Sequence, residues 1–381
     1  MSGHMVRGLV AAIAAIAAFG VSIGLTQPLL SLVLEARGHS STLIGVNTTV
    51  QFLGIMVAAP LIPGLIRRLG VLAVMFAGVA ISAATLLAFA GTESLVAWFA
   101  IRFILGCAEA ALFIAGETWI NQVVDDRIRG RVIGAYGTVL ASGLALGPLI
   151  IGLTGIAGAL PFLVGGAIIA AAVMPLAAAV GTAPRISGHP SRGPLALMAL
   201  VPLAASATAV FGLLDAGVMT LLPLYGTAIG LDAAQAAVLV TVTVVGGVVL
   251  QFPIGWLADH VGRTGLLIAL AALGAAGMVV VPLLAAVPLM LHGLLFLVGG
   301  MVGGLWTVPM VMLGEKFRGV DLATINVATA LLYGVGSVIG PSVLGATMEL
   351  SPHGLMLAMA LAPAGLAVAG LAAAAGARRA P

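Results

Sequence analysis

The chain has 381 residues, a mean hydropathy of +1.25 and only 7% charged residues, against about 25% in soluble domains, which excludes a water-soluble globular protein and makes lipid its solvent. The net charge of +3 comes from basic residues in short loops, with no basic face or aromatic platform, and this excludes a nucleic-acid binder. A single cysteine, Cys107, excludes an intramolecular disulfide and a cysteine-based metal cluster.

A membrane span needs about 20 apolar residues, and twelve such stretches follow one another. They cover 7–34, 42–66, 71–90, 95–119, 131–155, 158–181, 196–225, 234–258, 265–285, 289–315, 322–346 and 355–377. The first has no small-residue cleavage site and reads as a span, not a signal peptide. Connections as short as 67–70 and 91–94 force antiparallel neighbours. The 52 glycines suit helices that approach closely. The fold class is an all-α membrane protein of twelve transmembrane helices.

The polar residues stand out against this background in chain order. Span 1 carries Thr26 and Gln27, and span 2 carries Asn47 and Gln51. The next loop reads Pro63-Gly-Leu-Ile-Arg67-Arg68-Leu-Gly70. Span 4 holds Arg102-Phe-Ile-Leu-Gly106, then Glu109, then Gly116-Glu117 near its end. Span 5 holds Tyr136, Ser142 and Gly143-x-x-x-Gly147-Pro148. Span 7 has Asp215 and Tyr225; span 8 has Thr243 and Gln251. The following loop reads Gly255-Trp-Leu-Ala-Asp259-His260-Val-Gly262-Arg263. Span 10 carries Trp306 and ends in Gly314-Glu315. Span 11 carries Asn326, Tyr333 and Gly336-x-x-x-Gly340-Pro341.

Glycines repeat at an offset of about 192 residues: Gly38, Gly54 and Gly70 recur as Gly230, Gly246 and Gly262, and the span 5 motif recurs in span 11. The chain thus reads as two pseudo-symmetric six-helix bundles, 1–181 and 196–381, joined by a central loop at 182–195. Charge sets the orientation. With both termini cytoplasmic, Arg7, Arg67, Arg68, Arg127, Arg129, Arg131, Arg185, Arg192, Arg263, Lys316, Arg318, Arg378 and Arg379 fall inside. Arg37 alone falls outside, and Arg102 lies within a span. Fourteen arginines to one lysine, with abundant alanine, suggest a GC-rich bacterial genome and hence an inner membrane. A duplicated bundle is the architecture of a secondary transporter with its substrate site near the midplane.

Two sets of six spans, a central loop and these motifs resemble the major facilitator superfamily over nearly the whole chain. The 255–263 loop matches the family's cytoplasmic signature G-x-L-x-D-[RK]-x-G-R, with His260 at the usual basic position. The first-half copy departs from it, since Arg67 stands where the family places Asp. The resemblance implies a conformational gate of Gly255, Asp259, Gly262 and Arg263, with Glu117 and Glu315 as partners of Arg68 and of His260 or Arg263. Such contacts break as the halves rock. Arg102 and Gly106 are similar to the family's R-x-x-x-G motif. Gly143, Gly147 and Pro148 are similar to the motif of its antiporters; with Gly336, Gly340 and Pro341 they are expected to serve as hinge and packing residues. The family lines its cavity with spans 1, 4, 7 and 10.

Three ionisable groups fall in the hydrocarbon zone: Arg102, Glu109 and Asp215. Charges there are costly and usually functional. Arg102 and Glu109 share a helix face with a rise of about 10 Å between them. Burial favours the neutral acid and a cation the charged one, an opposition that suits proton loading and release. Glu109, Asp215 and Arg102 are therefore the proton-coupling candidates, with an Arg102–Asp215 pair a further expectation. Gln27, Asn47, Tyr136, Trp306, Asn326 and Tyr333 are the substrate-lining candidates.

The reading is a proton-coupled exporter of a small, largely apolar or weakly cationic organic compound, working as a monomer by alternating access. The alternative is an uptake symporter for a small metabolite or an organic anion bound by Arg102. An intramembrane enzyme lacks support: there is no H-E-x-x-H, nucleophile elbow or phosphate-binding loop. No histidine pair has metal-ligand spacing, and no metal or cofactor is expected.

Overall fold

A computed structural model describes residues 3–123, 129–182, 201–317, 319–351 and 353–377. It is helical, with no strand among the described residues. Among the described residues, twelve helices are long and apolar enough to cross a membrane: Val6–Ala36, Ser41–Ala58, Val71–Ala90, Leu95–Ile120, Ala135–Thr154, Leu160–Ala178, Pro202–Ala228, Ala233–His260, Arg263–Leu284, Pro288–Lys316, Ala328–Leu350 and Gly354–Ala375. They are numbered here as spans 1 to 12. Residues 183–195 of the expected central loop lie outside the described residues, as do Arg127, Arg185, Arg192, Arg318, Arg378 and Arg379. The side chains of Arg129, Arg131 and Asn326 also lie outside them.

Two spans are shorter or more broken than the apolar runs suggest, and proline explains both. Span 2, expected to reach residue 66, stops at Ala58; a separate short helix, Ile62–Leu69, follows. Pro60 lies in the break, and Pro63 sits in the first turn of the short helix, where its missing N–H costs nothing. In span 6 the helix changes at Ala172, whose N–H turns to Ile169 O. Pro175, three residues on, cannot donate to the Ala171 carbonyl. Spans 5 and 11 instead continue as helix through Pro148 and Pro341.

The chain forms two compact units. One comprises Met1–Arg37, Asn47–Gly188 and Ala233–Val238; the other comprises Gly38–Val46, His189–Asp232 and Leu239–Pro381. Within each, glycines let backbones meet. In the first unit, Gly20 and Gly24 of span 1 face Gly143 and Gly147 of span 5, and a Cβ on any of the four would overlap the opposing backbone. Gly54 of span 2 lies on Phe103 O of span 4, and Gly106 of span 4 lies on Gln51 O. The second unit repeats these contacts at the same offset. Gly246 lies on Phe296 O, Gly299 on Thr243 O, and Gly212 on Tyr333 O, the equivalent of Gly20 on Leu140 O. Gly336 and Gly340 of span 11 meet the span 7 backbone at Ala209 and Leu213. The repeated glycines Gly38 and Gly230 both adopt positive φ, 81° and 94°, in the turns before spans 2 and 8.

Candidate functional site

In the first unit the close approach of spans 2 and 4 at Gly54 and Gly106 brings Gln51 against Glu109. Glu109 is fully buried, and two neutral donors hold its carboxylate: Ser22 Oγ donates to Oε1 at 2.7 Å and Gln51 Nε2 donates to Oε2 at 2.6 Å. Arg102 is equally buried. Its Nη2 donates to Thr48 Oγ1 at 2.9 Å and its Nη1 to Thr26 O at 3.5 Å. Among the described residues neither Glu109 nor Arg102 forms an ion pair. Arg102 Nε, Gln51 Oε1 and both polar atoms of Asn47 are buried without a hydrogen-bond partner. Gln27 is buried beside Thr26.

This arrangement can accommodate Glu109 in either protonation state. The Ser22 hydroxyl can donate to a carboxylate or accept from an acid, and Gln51 carries an unpartnered acceptor on the amide that donates to Glu109. No ion pair has to break when the proton moves.

The second unit holds the other acid. Tyr333 of span 11 donates its hydroxyl to Asp215 Oδ2 at 2.8 Å. Gly212 makes this possible, since it lets the Tyr333 backbone lie directly on span 7. Trp306 of span 10 stands with its ring centroid 6.1 Å from that of Tyr333. Asp215, Trp306 and Tyr333 are all half-buried. Arg102 and Asp215, expected as a pair, thus each find hydrogen-bond partners inside their own unit.

The charged ends of the spans are arranged differently in the two units. Arg263 forms an ion pair with Glu315 and lies 4.0 Å from Asp259. His260, the other expected partner of Glu315, turns back to Trp256 O at 2.7 Å and lies tilted against the Trp256 ring. Gly255 and Gly262 have open space where a Cβ would lie. In the first unit the expected Arg68–Glu117 pair is not formed. Arg68 is exposed at the end of the short helix, and Glu117 instead accepts from Tyr136 at 3.0 Å. The donor, Tyr136, is one of the residues expected in a substrate lining.

Ser22, Thr48 and Phe211 escaped the sequence reading. A serine or threonine in an apolar helix carries little signal, because its hydroxyl can be satisfied by a carbonyl four residues back, as Thr26 is by Ser22 O. The available clue was recurrence: polar residues at 22, 26 and 27 in span 1 and at 47, 48 and 51 in span 2 fall at helical spacing. Phe211 is one more apolar residue in an apolar helix and carries no signal of its own.

Twelve apolar helices in two units that repeat each other's glycine contacts, with charges buried inside the spans, define a multi-pass membrane transporter. The family model described as Major Facilitator Superfamily matches residues 10–203 and again 204–381. The chain belongs to that superfamily; it is a transporter of small molecules and not an enzyme. The MFS-type transporter YfkF of Bacillus subtilis is 25% identical over 336 residues, covering 87% of this chain and 86% of that protein. YcaD of Escherichia coli is 27% identical over 336 residues, 86% of each. Among solved structures, a mutant of the nucleoside transporter NupG aligns over 97% of this chain and 99% of its own with a TM-score of 0.77. A bacterial homologue of the human lysosomal transporter Spinster aligns over 98% and 94% with a TM-score of 0.72. Both are 14% identical in sequence and share the fold.

Proposed function

We propose that the protein is a proton-coupled exporter of a small, largely apolar or weakly cationic organic compound. Glu109 is the principal proton carrier and Asp215 the second, with Arg102 shaping the field around Glu109. The observation that carries this reading is the setting of Glu109: a carboxylate 0% exposed in a membrane span, held by Ser22 and Gln51 and free of any ion pair among the described residues. A permanently charged structural acid needs a counter-charge at that depth. A group that alternates between charged and neutral needs partners that serve both states.

The remaining assignments belong to the same proposal. The two halves, 1–181 and 196–381, work by alternating access, and Gln27, Asn47, Tyr136, Trp306, Asn326 and Tyr333 are the substrate-binding residues. Arg263, Glu315 and Asp259, with Gly255 and Gly262, form the cytoplasmic gate, joined in the first half by Glu117 and Arg68. Gly143, Gly147, Pro148, Gly336, Gly340 and Pro341 provide the close-packed hinge seams. The protein works as a monomer in the inner membrane with both termini in the cytoplasm. One observation favours the alternative of uptake: Arg102 Nε has no partner and could hold an organic anion.

The test is flux in proteoliposomes driven by an imposed pH gradient, with a panel of neutral and cationic aromatic compounds. Glu109→Gln and Asp215→Asn should abolish gradient-driven flux while the protein stays folded. Undiminished gradient-driven flux in both variants would overturn the proposal. Flux of organic anions along with protons, lost in Arg102→Gln, would establish uptake instead.

A further inference from the structure

The surroundings of Asp215 go beyond a proton site. Phe211 lies one helical turn before Asp215 on the same face of span 7. Its ring centroid is 5.6 Å from Trp306 and 5.8 Å from Tyr333, and those two are 6.1 Å apart. Three rings from spans 7, 10 and 11 therefore form a triangle, joined to one carboxylate through the Tyr333 hydroxyl. All four residues are half-buried, whereas Gly212, Leu214 and Ala216 on another face of span 7 are buried. A packing core would bury the rings and keep the charge out. Here one accessible strip of span 7 presents both.

The electrostatics point the same way. Asp215 has no ion pair among the described residues. Tyr333 fixes Oδ2 and so orients the carboxylate. Ring faces carry negative potential and attract a cation within about 6 Å of the centroid. A carboxylate tied to this ring cluster through the Tyr333 hydroxyl lacks its complement, and a soft, weakly hydrated cation supplies it. A small, strongly hydrated metal ion does not suit this place, because the rings cannot replace its oxygen ligands.

We propose that Phe211, Asp215, Trp306 and Tyr333 form a binding subsite for the ammonium head of an organic amine or quaternary ammonium compound, with Asp215 as counter-charge and the three rings as an aromatic cage. This deepens the reading of the chain as an exporter of weakly cationic compounds and rests on it for the direction of movement. Binding itself requires neither proton coupling nor export.

The test is equilibrium binding of benzyltrimethylammonium to the full-length protein in nanodiscs at fixed pH with no gradient. Its uncharged carbon isostere, neopentylbenzene, serves as competitor. The parent should bind the cation, and the isostere should compete at least about tenfold less well. Asp215→Asn and Phe211→Leu should each weaken binding roughly tenfold or more, while Trp306→Phe and Tyr333→Phe, which keep a ring, should weaken it less than Trp306→Ala. Helical content and monodispersity of each variant are checked first; should Asp215→Asn not fold, the ring series decides. Absence of cation binding to the parent, equal competition by the isostere, or unchanged binding in the folded Phe211→Leu and Trp306→Ala variants would overturn the subsite. Cation binding without gradient-driven flux would overturn the exporter reading and leave the subsite standing; flux of neutral compounds without cation binding would do the reverse.

Discussion

Gln51 donates its side-chain amide to Glu109 Oε2 at 2.6 Å, across the seam where Gly106 lies on the Gln51 carbonyl. One residue thus joins the packing of spans 2 and 4 to the holding of a buried acid. A hydrogen bond to a charged group contributes about 1.5–3 kcal/mol, and each factor of ten corresponds to about 1.4 kcal/mol. Gln51→Leu should therefore reduce pH-gradient-driven flux roughly ten- to a hundredfold, with helical content unchanged. Gln51→Glu, placing a second carboxylate beside the first, should be at least as severe. Initial rates in proteoliposomes check both.

The glycine seams make a stability prediction with an internal control. A Cβ at Gly106 or Gly299 would overlap the Gln51 or Thr243 carbonyl, whereas Gly152, also inside a helix, has nothing within 4 Å of that position. Overpacking typically costs about 1–3 kcal/mol, while replacing an unhindered helical glycine by alanine gains about 0.5–1 kcal/mol. Gly106→Ala and Gly299→Ala should each lower the thermal midpoint in detergent, and Gly152→Ala should leave it unchanged or raise it.

The same seams show how much of the molecule was legible in the sequence. Twelve spans followed from apolar runs divided at charges, Gly/Pro clusters and polar turns, because lipid leaves few options for an exposed backbone. The repeat of Gly54 and Gly246 pointed to a common packing plan, which the contacts with Phe103 and Phe296 bear out. Breaks inside apolar runs were harder. Pro60 and Pro175 end helical runs while Pro148 and Pro341 do not, a difference set by the neighbours of each proline and invisible to hydropathy. Of the site, Glu109 and Asp215 announced themselves by their cost in hydrocarbon. Their partners did not: Ser22 and Phe211 are ordinary residues made distinctive only by what spans 4 and 10 set against them.

Asn47 carries a prediction in which stability and activity move in opposite directions. Its amide is 1% exposed, and neither polar atom has a partner among the described residues. A buried unpartnered polar group costs about 1–3 kcal/mol. Asn47→Leu should raise the thermal midpoint and lower transport. A midpoint that rises with transport unaffected would remove Asn47 from the substrate lining.

Arg263 and Glu315 should matter more to motion than to stability. Their side chains are 25% and 56% exposed, and such pairs contribute about 0–1 kcal/mol. Arg263→Ala should leave the thermal midpoint within a degree or two but change the turnover rate severalfold. The exchanged pair, Arg263→Glu with Glu315→Arg, should recover part of the turnover lost in either single variant.

The most direct test of proton-coupled export is to impose a cargo gradient and record the proton. Proteoliposomes with a pH indicator inside are given an outward gradient of a transported compound and no initial pH difference. The account predicts that the interior acidifies as cargo leaves, that Glu109→Gln abolishes the signal, and that cargo exchange at equal concentrations survives in that variant. Alkalinisation of the interior as cargo leaves, or an undiminished proton signal in Glu109→Gln, would contradict it.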